Sequence, residues 1–123
     1  MTKTALELSP KEWKKYTLPK RSATPEVKAR WARAWELIPE LAKLLREEFG
    51  ATKIKVFGSA LLMDYFSIDS DIDLAAWDIP SELYFLAVSR VDEYSDEFRV
   101  DLVEPHLCRP GLRKAIDREG IEV

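Results

Sequence analysis

Among the 123 residues there is one cysteine and one histidine, and each scarcity narrows the field. A lone Cys108 cannot close an internal disulfide, and a reducing cytoplasm is the expected compartment. The one histidine, His106, follows Pro105 in a loop with no cysteine or carboxylate at a metal-ligand spacing. It reads as a solvated loop residue, and Cys108 as an incidental half-buried thiol. No apolar run approaches the roughly 18 residues of a membrane span. The opening MTKTALELSPKEW lacks the apolar core of a signal peptide. There is no internal repeat and no low-complexity tail. What remains is an ordinary globular composition, 46% apolar and 33% charged, at a length that suits one domain with a modest core.

The net charge of −3 conceals two segments of opposite sign. Between Lys11 and Arg33 eight Lys/Arg stand against two Glu, and from Asp64 to Glu104 twelve Asp/Glu stand against two Arg. Solvated faces account for most such charges. An acidic cleft for a divalent cation with a basic flank is the sharper alternative. A net-acidic chain is poorly suited to general nucleic-acid binding, where phosphate contacts dominate affinity, and no direct nucleic-acid or membrane contact is expected.

Local signals give the element order. Ser9, Pro10 and Glu12 form a capping-box start for a short helix, followed by the turn-rich connector LPKRSATP. Thr24–Pro25–Glu26 opens a second helix, along which Val27, Trp31, Trp35, Ile38, Leu41, Leu45 and Phe49 recur at three- and four-residue spacings. Pro39 predicts a kink or break near Leu37–Ile38, and Gly50 a C-cap. Residues 52–58, 71–77 and 98–104 read as strands. A helix from Pro80/Ser81, with Leu83, Leu86 and Ala87 at helical spacing, separates the last two strands. Another, with Pro110 early and Gly120 beyond its end, closes the chain. Trp31 and Trp35 read as core, and Trp77, Tyr84 and Phe85 as packing between sheet and helix.

The chemistry lies in the strands. Asp71 and Asp73 alternate with Ile72 and Leu74, so period two puts both carboxylates on one face, about 6–7 Å apart at Cα. Asp101, between Val100 and Leu102, is a lone charge in another apolar strand. Exposed strand-end aspartates are the bland account of D-x-D. Carboxylates on neighbouring strands equally make a site for hard cations with oxygen ligands, including a two-metal arrangement astride a phosphoryl group. Gly58–Ser59 ends the first strand, where glycine lets backbone N–H groups approach a phosphate. Asp64 and Asp69 fall in the eleven-residue connector from Ala60 to Ser70 and read as loop residues. Together these residues point to phosphoryl or nucleotidyl transfer.

The run FGSALLMDYFSIDSDIDLA resembles the signature of the polymerase-β-like nucleotidyltransferase superfamily. More narrowly, residues from about 25 to 123 resemble the minimal nucleotidyltransferase domains that act as antitoxins of HEPN-domain toxins. The resemblance implies an α+β fold with a small mixed sheet flanked by helices, divided as a basic N-terminal extension (1–24) and a nucleotidyltransferase domain (25–123). It further implies that Gly58 and Ser59 hold the β- and γ-phosphates of ATP, and that Ser70 completes an S-D-x-D form. Asp71 and Asp73 would ligate Mg²⁺, with Asp101 completing a second metal site and favouring deprotonation of the attacking hydroxyl. The implied activity is AMP transfer from ATP to a tyrosine hydroxyl of a cognate HEPN toxin, bound as a hetero-oligomer. Stoichiometric neutralisation, or transfer to a small molecule such as an aminoglycoside, are the alternatives. Two departures stand out: Ala60, Leu61, Leu62 and Met63 occupy the place where many relatives carry Arg and Gly, and the connector is one residue longer than is common. Lys20 or Arg21 is the expected substitute for that arginine.

Overall fold

Thr24 starts the long helix that organises the molecule. Its Oγ1 accepts a hydrogen bond from the Val27 amide at 3.2 Å, and Pro25 takes the first-turn position where its missing N–H costs nothing. The computed structural model describes residues 23–123. The Ser9 helix, the connector through Ser22, Lys20 and Arg21 therefore lie outside the described residues. Helix α1 (Pro25–Phe49) ends at Gly50, whose φ of 75° supplies the left-handed cap. The expected break at Pro39 does not occur, because α1 runs through it. Pro39 is exposed while Ile38 and Leu41 beside it are wholly buried, so packing offsets the lost bond and the freed carbonyl can turn to water.

Four strands form one mixed sheet in the order β3-β2-β1-β4: β1 (Lys53–Phe57), β2 (Ile72–Trp77), β3 (Val100–Val103) and β4 (Ile121–Glu122). β1 runs antiparallel to β2 and β4, and β2 parallel to β3. Helix α2 (Ser81–Glu93) makes the crossover between the parallel strands, and α3 (Pro110–Glu119) precedes β4. The expected strands are trimmed, the first and third at both ends and the second at its start alone. β4 has no counterpart in the sequence reading, because two residues are too few for a periodicity to show. Its pairing comes from β1, with Lys55 opposite Glu122 and Val56 opposite Ile121.

The two faces of the sheet differ. Ile54, Val56, Ile72, Leu74, Val100 and Leu102 are buried beneath α1 and α2, with Ile38, Leu41, Leu45, Ala87 and Val91. Fully burying a side chain such as Leu74 contributes about 1.5–3 kcal/mol. On the other face a smaller cluster joins Phe57, Ala75 and Ile116, flanked by Trp77, Val103 and Leu112. Helix α3 thus covers that face over only part of the strands. The outer edge of β3 is partly claimed by its own crossover helix: the Tyr84 hydroxyl donates to the Leu102 carbonyl at 3.1 Å, and the Val100 amide donates to Asp92 Oδ1 at 2.9 Å. Phe85, expected to pack, is 81% exposed, and Leu86 beside it 54%; Phe85 occupies the α2 face turned from Ala87 and Val91. Among the described residues no helix is long and apolar enough to cross a membrane.

Candidate active site

The alternation that buries Ile72 and Leu74 turns Asp73 to the partly covered face, and the strand register does the rest. Asp73 stands opposite Asp101 on β3 and opposite Phe57 on β1, which brings two carboxylates side by side. Asp71 lies one residue before β2, on the same side as Asp73 by the two-residue period. The Ile72 amide between them donates to the Arg99 carbonyl at 3.0 Å, and this ties the start of β2 to the start of β3.

The electrostatics record the crowding. The Asp73 carboxyl is pushed up to about 7, first by burial and then by the charges of Asp101 and Asp71. Asp71 is also raised, by burial and then Asp101, with Arg99 and Arg30 pulling the other way. Asp101 is exposed.

Gly58 closes the site from β1. Its φ of 78° is a conformation that side chains resist, and a Cβ there would sit 2.4 Å from Asp73 Oδ2 and 3.2 Å from its Cγ. Only glycine lets the backbone lie against this carboxylate. Ser59 follows, 5% exposed, in the 3₁₀ turn Gly58–Leu61. Two indoles hold that turn: Trp31 Nε1 and Trp35 Nε1 both donate to the Ala60 carbonyl at 2.9 Å. The tryptophans do pack against the core, and this bond is a second task the helical stripe did not reveal.

The remaining residues fall aside. Ser70 Oγ accepts from the Ser67 amide at 2.8 Å and lies 3.1 Å from Ser67 Oγ, so its hydroxyl is engaged in the turn before β2. Asp69 lines a separate 260 Å³ cavity with Glu26, Val27, Phe66 and Ile68. His106 is exposed. The Cys108 thiol, 3.4 Å from the Glu104 carbonyl, is pushed up by burial, which makes it a poor nucleophile.

Three carboxylates with hard oxygen donors, mutually repelling beside an open face, match the chemistry of a divalent-cation site. As the side chains lie, no three or more His, Cys, Asp or Glu among the described residues converge to hold a metal ion. The exposed Asp101 is the member able to change rotamer at little cost.

No family model matches the chain. Against curated proteins it is 37% identical over 83 residues to the protein adenylyltransferase MntA of Thermococcus cleftensis, covering 66% of this chain and 83% of that protein. The chain belongs to the MntA family of nucleotidyltransferases. The expected α+β architecture, with a small mixed sheet between helices, is the one this MntA-family chain has, and nucleotidyl transfer is its class of chemistry. Beside the aspartates of this MntA-family chain lies one residue that sequence reasoning did not single out. Arg30 of α1 reaches the loop before β2 and donates from Nη2 to the Ser70 carbonyl at 3.0 Å. Only its place in the basic segment marked it.

Proposed function

We propose that the chain is a Mg²⁺-dependent enzyme that transfers AMP from ATP to a hydroxyl of a partner protein, a tyrosine of a HEPN toxin, and so acts as an antitoxin. The observation that carries this reading is the juxtaposition of Asp73 with Asp101 across the β2–β3 register, with the Gly58 backbone packed on Asp73. In this scheme the Gly58–Ser59 backbone faces the β- and γ-phosphates. Asp71, Asp73 and Asp101 would hold the Mg²⁺ ions, which neutralise phosphate charge when bound. The acceptor oxygen attacks the α-phosphorus, and the bond from that phosphorus to the bridging oxygen breaks. Pyrophosphate leaves with the electron pair. Asp101, the most exposed of the three, takes the hydroxyl proton. Positioning and charge neutralisation supply most of the rate enhancement in such transfers.

The test is transfer of label from α-³²P-ATP, with Mg²⁺, to a co-purified HEPN partner. Transfer is expected for the wild type and should fall at least about 100-fold in Asp71→Asn and Asp101→Asn. Label that persists in either variant rejects the assignment of the carboxylates. One second reading is neutralisation by stoichiometric binding. An Asp71→Asn variant that still silences the toxin would support it.

A further inference from the structure

Among the described residues Arg30 is the cation driven into the body of the protein beside the aspartates, and its surroundings show what it holds. Its side chain is 12% exposed. The guanidinium carbon lies 4.2 Å from the centre of the Phe98 ring and 5.9 Å from that of Phe66. Nη2 donates to the Ser70 carbonyl at 3.0 Å and Nη1 to the Glu97 carbonyl at 3.3 Å. Ser70 immediately precedes Asp71, and Glu97 lies four residues before Asp101. One rigid fork therefore spans the two loops that launch the carboxylate-bearing strands. A lysine, with a single point of charge, cannot reproduce that geometry.

A buried cation is costly unless it is fully paired, and Arg30 is only partly paired. Its one ion pair among the described residues is to Glu97 Oε2 at 3.6 Å, and that carboxylate is already gripped by Arg33, with Nη2–Oε2 at 2.6 Å. Arg30 Nε is buried with no hydrogen-bond partner among the described residues. A packing role alone would be met more cheaply by an apolar side chain against Phe66 and Phe98. The expense is explained if the charge is needed where it stands, beside Asp71.

We propose that Arg30 is a positioning residue of the site, fixing the Ser70 and Glu97 carbonyls so that the starts of β2 and β3 hold Asp71 and Asp73 beside Asp101 for a divalent cation. The inference rests on the reading of the three aspartates as cation ligands. It also gives a fixed positive charge beside the site to a chain that lacks the usual arginine after Gly58–Ser59.

The experiment measures Mn²⁺ affinity by electron paramagnetic resonance, without nucleotide, for the wild type, Arg30→Lys, and Val91→Ala as a core variant of lowered stability. Outer-sphere partners of metal ligands are worth about 10–100-fold in affinity. Arg30→Lys should therefore weaken Mn²⁺ at least about tenfold and raise the Mg²⁺ requirement of transfer, with KM for ATP unchanged. Val91→Ala should leave Mn²⁺ affinity intact. Arg30→Lys binding Mn²⁺ within about twofold of the wild type, or Val91→Ala weakening it equally, overturns the proposal. If Arg30→Lys does not fold, the Arg30 Nε–H resonance of the wild type decides. It should shift on Mg²⁺ addition with the same midpoint as the Asp71 amide, and a stationary resonance overturns the proposal. A wild type that binds Mn²⁺ yet transfers no label overturns the transfer reading alone. One that binds no Mn²⁺ overturns this inference.

Discussion

Asp73→Asn should stabilise the metal-free protein at neutral and alkaline pH while it destroys the site. The Asp73 carboxyl is pushed up from 3.8 to about 7. A group whose folded pKa lies above its unfolded value contributes its full stability below the unfolded pKa, and loses it as pH rises through the folded one. At about 1.4 kcal/mol per pH unit the whole shift corresponds to about 4 kcal/mol. Water on the open flank of the half-buried Asp73 reduces this to about 2–3 kcal/mol. Asparagine keeps the shape that fits against Gly58 and carries no charge to repel Asp71 and Asp101. Urea unfolding in EDTA from pH 3.5 to 8.5 measures the difference. The wild type should lose stability between about pH 4 and 7 relative to Asp73→Asn, with the two curves converging at the acid end. Adding Mg²⁺ at pH 8 should raise the wild type and leave the variant unmoved. Curves that run parallel across the whole range would refute the reasoning, since Asp73 would then ionise in the folded state at no cost.

Other outcomes can be checked with the same preparations. Gly58→Ala combines a left-handed backbone with a Cβ driven into Asp73 Oδ2. It should cost about 1–2 kcal/mol in urea unfolding and weaken Mn²⁺ binding more than a surface variant of equal stability. Replacing Trp31 and Trp35 together by Phe removes both donors to the Ala60 carbonyl, at about 1 kcal/mol each; faster hydrogen exchange across residues 58–61 is the readout. Tyr84→Phe should cost about 1 kcal/mol through the lost bond to Leu102, seen as a lower urea midpoint with unchanged slope. Pro39→Ala restores a helix donor at an exposed position of α1 and should raise the melting temperature by several degrees.

The parts of this fold that were legible in the sequence are those in which one local rule acts alone. Period two in residues 71–77 assigned Ile72 and Leu74 to the core and the aspartates to the other face, as the sheet has them. Thr24 and Gly50 marked both ends of α1 because caps are local chemistry. Pro39 misled for a complementary reason: its cost is local, whereas the burial of Ile38 and Leu41 that offsets it is tertiary. Phe85 shows the limit of composition, since an aromatic on a helix says nothing of which face meets the sheet. The candidate site divides in the same way. The register that sets Asp73 against Asp101 could only be expected, and the contacts of Arg30, Trp31 and Trp35 join residues 25 to 67 positions apart. No periodicity reports a bond over that distance.

The partly claimed edge of β3 bears on how any polypeptide can meet Asp101. Residues 100 and 102 direct their backbone groups outward, and Asp92 and Tyr84 have already claimed the Val100 amide and the Leu102 carbonyl. A visiting chain therefore finds one donor and one acceptor of that ladder already taken, which weakens strand addition as a mode of docking at this edge. The face of the sheet is the other approach. A group that reaches the carboxylates over that face arrives as a projecting side chain or a loop tip, and selectivity would then lie in how far it reaches past its own backbone.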